Sequence, residues 1–319
     1  MMKRTLPALG LFFLAPLVAE FVLGNIPITA LFALLMLAPL YGGGAVLIRE
    51  LVRRRGWGYP SVVVLALAYG VLEEGVTTMS LFNPNYAGQR LLDPGYLPAL
   101  GMGGPWTVMV LGLHTVWSIT VPIVLMESIS RRPREPWLGK VGLIVYGVLF
   151  VTVGVIGTTA FAIANDPFVA APGQFAGVAV AIVLLIALAA WLGRRTTRIG
   201  ISGWVPGVWL TGAIALALSS AWMLTNDLIH APWIETAAML ALDILAAALL
   251  VTWSRRPSWT PQHLAAAAGG ALVTYAWHAF PESPVIAASP TADLIGNAVF
   301  ALAALAVATA AIARTRRRS

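Results

Sequence analysis

The 319-residue chain is 59% hydrophobic and only 10% charged, and its mean hydropathy is +0.84. Soluble globular domains carry about 25% charged residues, so this composition excludes a water-soluble fold. The net charge of +7 comes from short basic clusters between apolar runs, which is typical of membrane topology rather than of nucleic-acid binding. The chain has no cysteine, which also excludes a disulfide framework and a thiolate zinc site.

Ten predominantly apolar stretches follow one another along the chain, and each is long enough to cross about 30 Å of hydrocarbon. Pro, Gly or charged residues separate them. The stretches cover residues 6–24, 27–48, 60–82, 105–129, 138–164, 174–193, 203–224, 233–253, 263–280 and 291–313. The sequence therefore predicts an all-α, polytopic membrane protein with about ten transmembrane helices, which form a single membrane domain over residues 1–319.

The basic residues fall almost entirely on one side of these spans. Of the 20 lysines and arginines, 19 lie in clusters at residues 3–4, 49–55, 131–140, 194–198, 255–256 and 314–318, and only Arg90 lies on the other side. Basic connections stay in the cytoplasm. The sequence therefore predicts a multi-pass protein of the plasma membrane with both termini in the cytoplasm.

The longest connection runs over residues 83–104, between the third and fourth spans. Its Asn-Pro-Asn opening and its Asp93-Pro94-Gly95 segment are typical of turns. Long ordered loops often have a function. The 83–104 loop is either a plain linker or a lid over polar groups beneath it.

Glu73 and Glu74 are adjacent carboxylates inside the third span. A charged residue near the bilayer centre costs about 2.5–3.5 kcal/mol on insertion scales, so such residues mark function unless a structural partner is present. Consecutive residues of an α-helix diverge by about 100°. We therefore expect the two carboxylates to face different partners, one as a ligand and the other as a base or as a support for the ligand.

His114, in the fourth span, shares a helical face with Ser118 one turn later. At about 1.5 Å of rise per residue, His114 lies roughly 13 Å inside Pro105, and Glu74 lies roughly 12 Å inside Phe82. The two side chains therefore reach the same depth on antiparallel neighbours. This match predicts one polar cluster in the outer half of the membrane.

The other polar residues in the predicted spans lie at different depths in the membrane. Asp243 lies roughly 15 Å inside the eighth span, Asn297 is intermediate, and Glu20 is near the outer surface. Glu50 and Glu127 lie toward the cytoplasmic ends, where pairing with nearby arginines explains them. The structural alternative for the deeper residues is a buried polar network that only fixes helix packing.

A glycine-containing helix that ends in a Glu-Glu pair and is followed by a helical histidine resembles the CPBP intramembrane metalloproteases, relatives of the type II CAAX prenyl endopeptidases. The resemblance covers residues 69–128. Glu73 and Glu74 stand at the family's Glu pair and His114 at its second-motif histidine. The resemblance implies metal-dependent or glutamate-activated peptide hydrolysis, with these three side chains as catalytic residues.

The pattern departs from that family at two positions. Thr78 stands where the family has arginine, and Val110 stands where it has phenylalanine. No second intramembrane histidine follows at matching depth.

A catalytic zinc usually has three protein ligands. On the protease interpretation, a divalent metal such as zinc is held by Glu74 and His114, and either Asp243 or Asn297 completes the site. Ser118 lies beside the histidine as a supporting group. The alternative is a relative that has lost metal chemistry.

The same residues also suit another class of protein, a proton-coupled transporter or lipid permease. In that case the buried carboxylates carry protons and His114 titrates near neutral pH. An accessory membrane subunit without catalysis is a third alternative. The expected partners are the lipid bilayer and, for an enzyme, a membrane peptide or lipid substrate; nucleic acid is not expected.

The charge asymmetry makes a prediction about topology. Reporter tags at either terminus, in residues 131–140 and in residues 194–198 should report the cytoplasm, and a tag at Gly88 should report the outside, because basic connections are retained inside. Accessibility labelling of intact cells measures this. A tag at residue 319 that reports the outside would contradict the count of spans.

Overall fold

The computed structural model of the protein describes residues 2–195, 200 and 202–317, with side chains described from Thr5 onward. Arg198 and Arg318, which belong to the basic clusters above, lie outside the described residues, as do the side chains of Lys3 and Arg4. The structure is 73% helical with almost no strand. This confirms the all-α, polytopic fold predicted from the sequence.

Thirteen α-helices occur within the described residues. They are α1 (Met2–Pro16), α2 (Ala33–Leu37), α3 (Tyr41–Arg54), α4 (Tyr59–Leu72), α5 (Gly104–Leu113), α6 (Val121–Ile129), α7 (Lys140–Val148), α8 (Thr158–Asn165), α9 (Pro172–Arg194), α10 (Val208–Leu228), α11 (Pro232–Ser254), α12 (Pro261–His278) and α13 (Pro290–Arg316). Four π-helical segments interrupt or extend them: π1 (Leu17–Val22), π2 (Glu73–Thr77), π3 (His114–Thr120) and π4 (Leu149–Gly157). Ile28–Ala30 and Tyr86–Gly88 form short 3₁₀ turns, and β1 (Tyr96–Leu97) pairs antiparallel with β2 (Met102–Gly103).

Among the described residues, eight continuous helical segments are long and apolar enough to cross a membrane. They span Thr5–Val22, Tyr59–Thr77, Gly104–Ile129, Lys140–Asn165, Pro172–Arg194, Val208–Leu228, Pro232–Ser254 and Pro290–Arg316. Each coincides with one of the ten predicted stretches. Proline opens many of these helices because its fixed φ suits the first turn and its missing N–H would have no helical acceptor there.

The predicted span 27–48 is interrupted in the structure. Its residues form the turn Ile28–Ala30, the five-residue α2 and the first half of α3. Pro39 lies between α2 and α3, and proline lacks the N–H that a continuous helix needs. Helix α3 therefore begins at Tyr41 and continues to Arg54, beyond the predicted end.

The predicted span 263–280 is a single helix, α12, whose residues are nearly all buried. Its Ala and Gly residues let neighbouring backbones approach: a Cβ added at Gly270 would lie 2.2 Å from the carbonyl oxygen of Gly212 on α10. Helix α12 packs against α10 and α13. Because protein surrounds it, α12 does not need the apolar surface of a lipid-facing helix.

A buried charge network joins α3, α4 and α6 at one end of the molecule. Arg49 donates to Glu127 at 2.9 Å and to Glu50 at 2.7 Å. Arg53 and the Tyr59 hydroxyl also donate to Glu127, each at 2.6 Å. Arg49, Glu50 and Glu127 are at most 1% exposed. The predicted pairing of Glu50 and Glu127 with arginine is confirmed.

The network also fixes the connection after α6. Arg49 donates to the carbonyl oxygens of Pro133 and Glu135, and its guanidinium lies 3.5 Å from the Trp137 ring centroid. Glu50 in turn accepts from the backbone N–H of Trp137 at 2.7 Å.

Helix α4 continues into π2, and π3 continues into α6. The network therefore locks the far ends of the helices that carry Glu73, Glu74 and His114.

Removal of one network charge should destabilise the protein strongly. In Glu127→Gln, Arg49 and Arg53 lose their carboxylate, and breaking a buried ion pair typically costs about 3–5 kcal/mol. The midpoint of thermal unfolding in detergent should fall by several degrees. Glu135→Gln is the matched control, because the Arg132–Glu135 pair is exposed and such pairs contribute about 0–1 kcal/mol. Equal shifts for the two variants would contradict the assignment.

Candidate functional site

The structure brings Glu73, Glu74 and His114 together in one buried cluster. Glu73 and Glu74 open π2 and His114 opens π3, and all three side chains are buried. Oε1 of Glu74 lies 2.7 Å from Nε2 of His114, and Oε2 of Glu73 lies 3.2 Å from Nδ1. The proximity predicted from matched depth is therefore observed.

The prediction that the two carboxylates face different partners is wrong. Both reach the same imidazole, one at each ring nitrogen. Two physical reasons account for this. The ring offers two binding edges rather than one, and the π-helical turn that starts at Glu73 does not follow the 100° spacing of an α-helix.

Glu74 is held by hydroxyl groups as well as by His114. Thr78 donates to Oε2 of Glu74 at 2.8 Å, and the Ser80 hydroxyl donates to the same oxygen. Between them, Met79 has a φ of +56°, a left-handed conformation that is rare for a bulky side chain. This reversal ends π2 and turns Ser80 back toward Glu74. Trp106 donates to the Ser80 hydroxyl at 3.2 Å and supports it from α5.

These partners define the protonation pattern around His114. Glu74 accepts from Thr78 and Ser80, which makes it an ionised acceptor, so the proton shared with Nε2 belongs to the imidazole. Nδ1 lies 3.1 Å from the Ser118 hydroxyl, as the shared helical face predicted, and accepts its proton when the ring is neutral. Glu74 and Ser118 thus orient the ring from its two sides.

Glu73 is much less constrained than Glu74. Its Oε2 has no hydrogen-bond partner, because its 3.2 Å approach to Nδ1 of His114 is not aligned for one. The hydroxyls of Tyr69 and Thr77 are also buried without a partner. A buried polar atom without a partner is unfavourable and rare in native proteins, so these groups can still accept or donate hydrogen bonds. The free groups all lie on the Glu73 side of the imidazole or in π2.

Glu20 is a further acidic group beside this cluster, and depth reasoning missed it. Its Oε1 accepts from the Tyr41 hydroxyl and its Oε2 from Nδ2 of Asn25, both at 2.5 Å. The Tyr41 ring centroid lies 5.9 Å from that of His114, and the Tyr69 centroid lies 6.1 Å from it. The break before α3 is what carries Tyr41 to this position. The sequence feature that indicates this break is Pro39, which lies in the middle of an apolar run.

The cluster carries negative charge without arginine or lysine. In the described part of the chain, no lysine or arginine forms an ion pair with Glu20, Glu73 or Glu74. These carboxylates contact neutral groups and His114. Isolated charge in a low-dielectric interior is strongly unfavourable. Protons or a bound cation would therefore stabilise the site.

The donor set fits a divalent metal ion. One ligand atom from each of Glu73, Glu74 and His114 lies within 4.8 Å of the others. Ligands at about 2.1 Å around a tetrahedral ion are about 3.4 Å apart, so small side-chain movements would suffice. The free Oε2 of Glu73 is the buried atom that such an ion, or a water on it, would satisfy.

Asp243 and Asn297 are not brought to this group. Asp243 is half-buried on α11 beside Trp222, and Asn297 on α13 donates to the Ala279 carbonyl oxygen at 3.0 Å. Helix α11 packs mainly against α10 and α5, and α13 packs against α12 and α6. Depth along a helix carries no information about position within the membrane plane.

A second group with metal-ligand chemistry lies at the ends of α10 and α12. Nε2 of the buried His278 lies 2.9 Å from Asp227 and 3.7 Å from Glu282. The Asp227 side chain is 29% exposed and that of Glu282 45%. Solvent screens these acids, so a hydrogen bond between Asp227 and the imidazole accounts for the group.

The 83–104 loop is ordered and lies close to the cluster. Asn83 donates to Asp166 at 2.6 Å and anchors the start of the loop. Burial and then the charges of Glu74 and Glu73 raise the pKa of the Tyr86 hydroxyl well above its usual value. The role of the loop as a lid stays a prediction.

An open cleft of about 650 Å³ lies between this loop and the start of α9. Its lining includes Phe82, Arg90, Tyr96, Phe168 and Gln174. Phe82 follows Ser80 by two residues, so the cleft begins next to the segment that holds Glu74.

Sequence comparison supports the membrane assignment and adds no chemistry. The profile of a family described as an uncharacterized membrane protein family matches residues 9–319. No curated protein and no solved structure matches the chain.

The unequal bonding of the two glutamates predicts unequal reactivity. Dicyclohexylcarbodiimide, which modifies carboxyl groups in apolar surroundings, should label Glu73 about tenfold faster than Glu74, because a hydrogen bond to a charged group contributes about 1.5–3 kcal/mol and Glu74 has several. Peptide mass spectrometry of the labelled protein measures this. Glu73→Gln should lose the main adduct, and an adduct found mainly on Glu74 would refute the asymmetry.

Proposed function

The chain belongs to an uncharacterized membrane protein family, and we propose that it is an intramembrane peptide hydrolase whose active site is the Glu73, Glu74 and His114 cluster. One observation carries the proposal. Two adjacent carboxylates contact one imidazole, but hydroxyls hold Glu74 while Glu73 keeps a free buried oxygen. Such a pair separates the task of orienting or binding from the task of accepting a proton.

In this proposal, Glu74 and His114 hold a divalent metal ion and Glu73 is the general base. The 2.7 Å contact between Oε1 of Glu74 and Nε2 of His114 would open slightly to admit the ion, while Thr78 and Ser80 keep the other oxygen of Glu74 in place. A ring that used Nε2 to hold a metal ion would carry its proton on Nδ1, the nitrogen that faces Glu73 and Ser118. The ion supplies Lewis acidity, which lowers the pKa of a bound water to about 7.

The chain's own residues then handle the protons. Glu73 takes a proton from the attacking water at its free oxygen, and the water oxygen bonds to the carbonyl carbon of the substrate. The carbon–nitrogen bond breaks, and Glu73 returns the proton to the leaving nitrogen. The products are a carboxylic acid, which keeps the second proton of the water, and an amine, so atoms and protons balance.

The resemblance to CPBP metalloproteases supports the proposal at these three residues and differs at Thr78. That position is arginine in the family pattern, and here the threonine hydroxyl donates to Glu74 at 2.8 Å. A hydroxyl fulfils the same need for a donor to the carboxylate without adding positive charge. With both termini in the cytoplasm, the site would lie in the outer half of the plasma membrane, where a membrane peptide is the substrate.

A proton-coupled transporter is the second candidate, and the absence of basic partners favours it. Among the described residues, no lysine or arginine pairs with Glu20, Glu73 or Glu74, and His114 contacts Glu73 and Glu74. Protons would neutralise these carboxylates as well as a metal ion would, and His114 would relay protons between them. The two candidates therefore differ in whether the site retains metal.

Metal content and proteolysis test the proposal together. Protein purified with zinc should contain about one tightly bound ion, and His114→Ala should lose it. Glu73→Gln should retain the ion but lower cleavage of quenched transmembrane peptides by about 10²–10⁴-fold, because glutamine keeps the shape without accepting the proton. Elemental analysis and fluorescence provide the two readouts.

Glu235→Gln is the matched control, since Glu235 is a buried carboxylate outside the cluster on α11; it should preserve metal and cleavage. Wild-type protein without metal or cleavage, combined with a Glu73→Gln shift in the pH dependence of proton uptake, would reject the hydrolase in favour of the transporter.

A further inference from the structure

Glu20 is the charged neighbour that the proposed chemistry does not use. It lies in π1, and both of its oxygens accept hydrogen bonds from neutral groups, the Tyr41 hydroxyl and Nδ2 of Asn25. The Tyr41 ring packs against the ring of His114. Glu20 is thus fixed in place next to the cluster while its negative charge is left intact.

Position and charge together suggest an electrostatic role. Glu20 is bonded to Tyr41, whose ring centroid lies 5.9 Å from that of His114, but Glu20 does not belong to the group whose ligand atoms lie within 4.8 Å of one another. At an effective dielectric constant of about 20, charges about 10 Å apart still interact appreciably. That interaction is proportional to the charge of the ion, so a fixed carboxylate favours divalent over monovalent cations.

We propose that Glu20 is the outer carboxylate of a divalent-cation site: it does not coordinate the ion held by Glu74 and His114, but its charge strengthens binding of that ion. Tyr41 and Asn25 donate hydrogen bonds to Glu20 and leave its charge in place. The inference rests on the proposed function, because it presupposes an ion between Glu74 and His114. It replaces Asp243, which depth alone suggested, with an acidic residue that the tertiary structure brings near.

Glu20→Gln removes the negative charge of this side chain and keeps its shape, so it tests the two contributions separately. Glutamine can still accept from Tyr41, and the amide of Asn25 can turn to offer its oxygen to the new NH₂ group. A purely structural Glu20 would therefore tolerate glutamine, whereas an electrostatic one would not. Glu20→Asp retains the negative charge. Tyr41→Phe removes one hydrogen bond to Glu20 but leaves the charge of Glu20 unchanged. Neither variant should therefore lose zinc affinity as Glu20→Gln does.

The experiment measures zinc affinity of the full-length protein by titration calorimetry in detergent. All proteins carry His278→Gln, because Asp227, His278 and Glu282 form a second group of metal-ligand type. Glu20→Gln should weaken zinc binding at least about tenfold, given the Coulomb interaction above. Glu235→Gln, the matched carboxylate on α11, should bind as the His278→Gln parent does, and thermal unfolding checks that each variant is folded.

The outcomes distinguish this inference from the proposed function. Unchanged zinc affinity in Glu20→Gln, with binding lost in His114→Ala, overturns the role of Glu20 and leaves the metal site standing. Equal binding by parent and His114→Ala overturns both. If Glu20→Gln does not fold, Glu20→Asp and Tyr41→Phe decide: near-parental affinity in both supports the role of charge, and a loss of tenfold or more in Tyr41→Phe overturns it.

Discussion

The unfavourable free energy of a charge in a low-dielectric interior is the constraint on which this structure depends. The same helices carry buried charges at both ends, and the charges are paired completely at one end and incompletely at the other. At one end, Arg49, Arg53 and Arg54 surround Glu50 and Glu127. At the other, Glu73 and Glu74 share one imidazole. A fully paired network stabilises a fold, whereas an incompletely paired one retains affinity for a cation.

The same helices connect the arginine network to the cluster of Glu73, Glu74 and His114. Helix α4 with π2, and π3 with α6, each run from the paired network to the cluster, and α3 begins at Tyr41 beside the cluster and ends in the network. Because the network fixes one end of these helices, side chains at the other end keep separations near 3 Å without a continuous set of ion pairs. The π-helical turns at Glu20, Glu73 and His114 then set the final directions of the side chains.

Sequence reasoning reached the site by arithmetic on helical rise. Glu74 and His114 lie at equal depth on consecutive antiparallel spans, which is a strong constraint because consecutive helices usually pack together. The same arithmetic could not place Asp243, since equal depth on a distant helix says nothing about lateral separation. Nor could it find Glu20, because a proline break in the second span, rather than any periodicity, carries Tyr41 to the cluster.

The sequence by itself determined the fold class, the positions of eight membrane-spanning helices and the central Glu and His residues, because hydropathy, helix length and rise are local properties of the chain. Only the tertiary structure decided the unequal bonding of Glu73 and Glu74. That asymmetry depends on the left-handed turn at Met79, on the hydroxyls of Thr78 and Ser80, and on both carboxylates reaching one ring. Such contacts arise from π-helical turns and lateral helix packing, for which the hydrophobic pattern of the sequence has no signal.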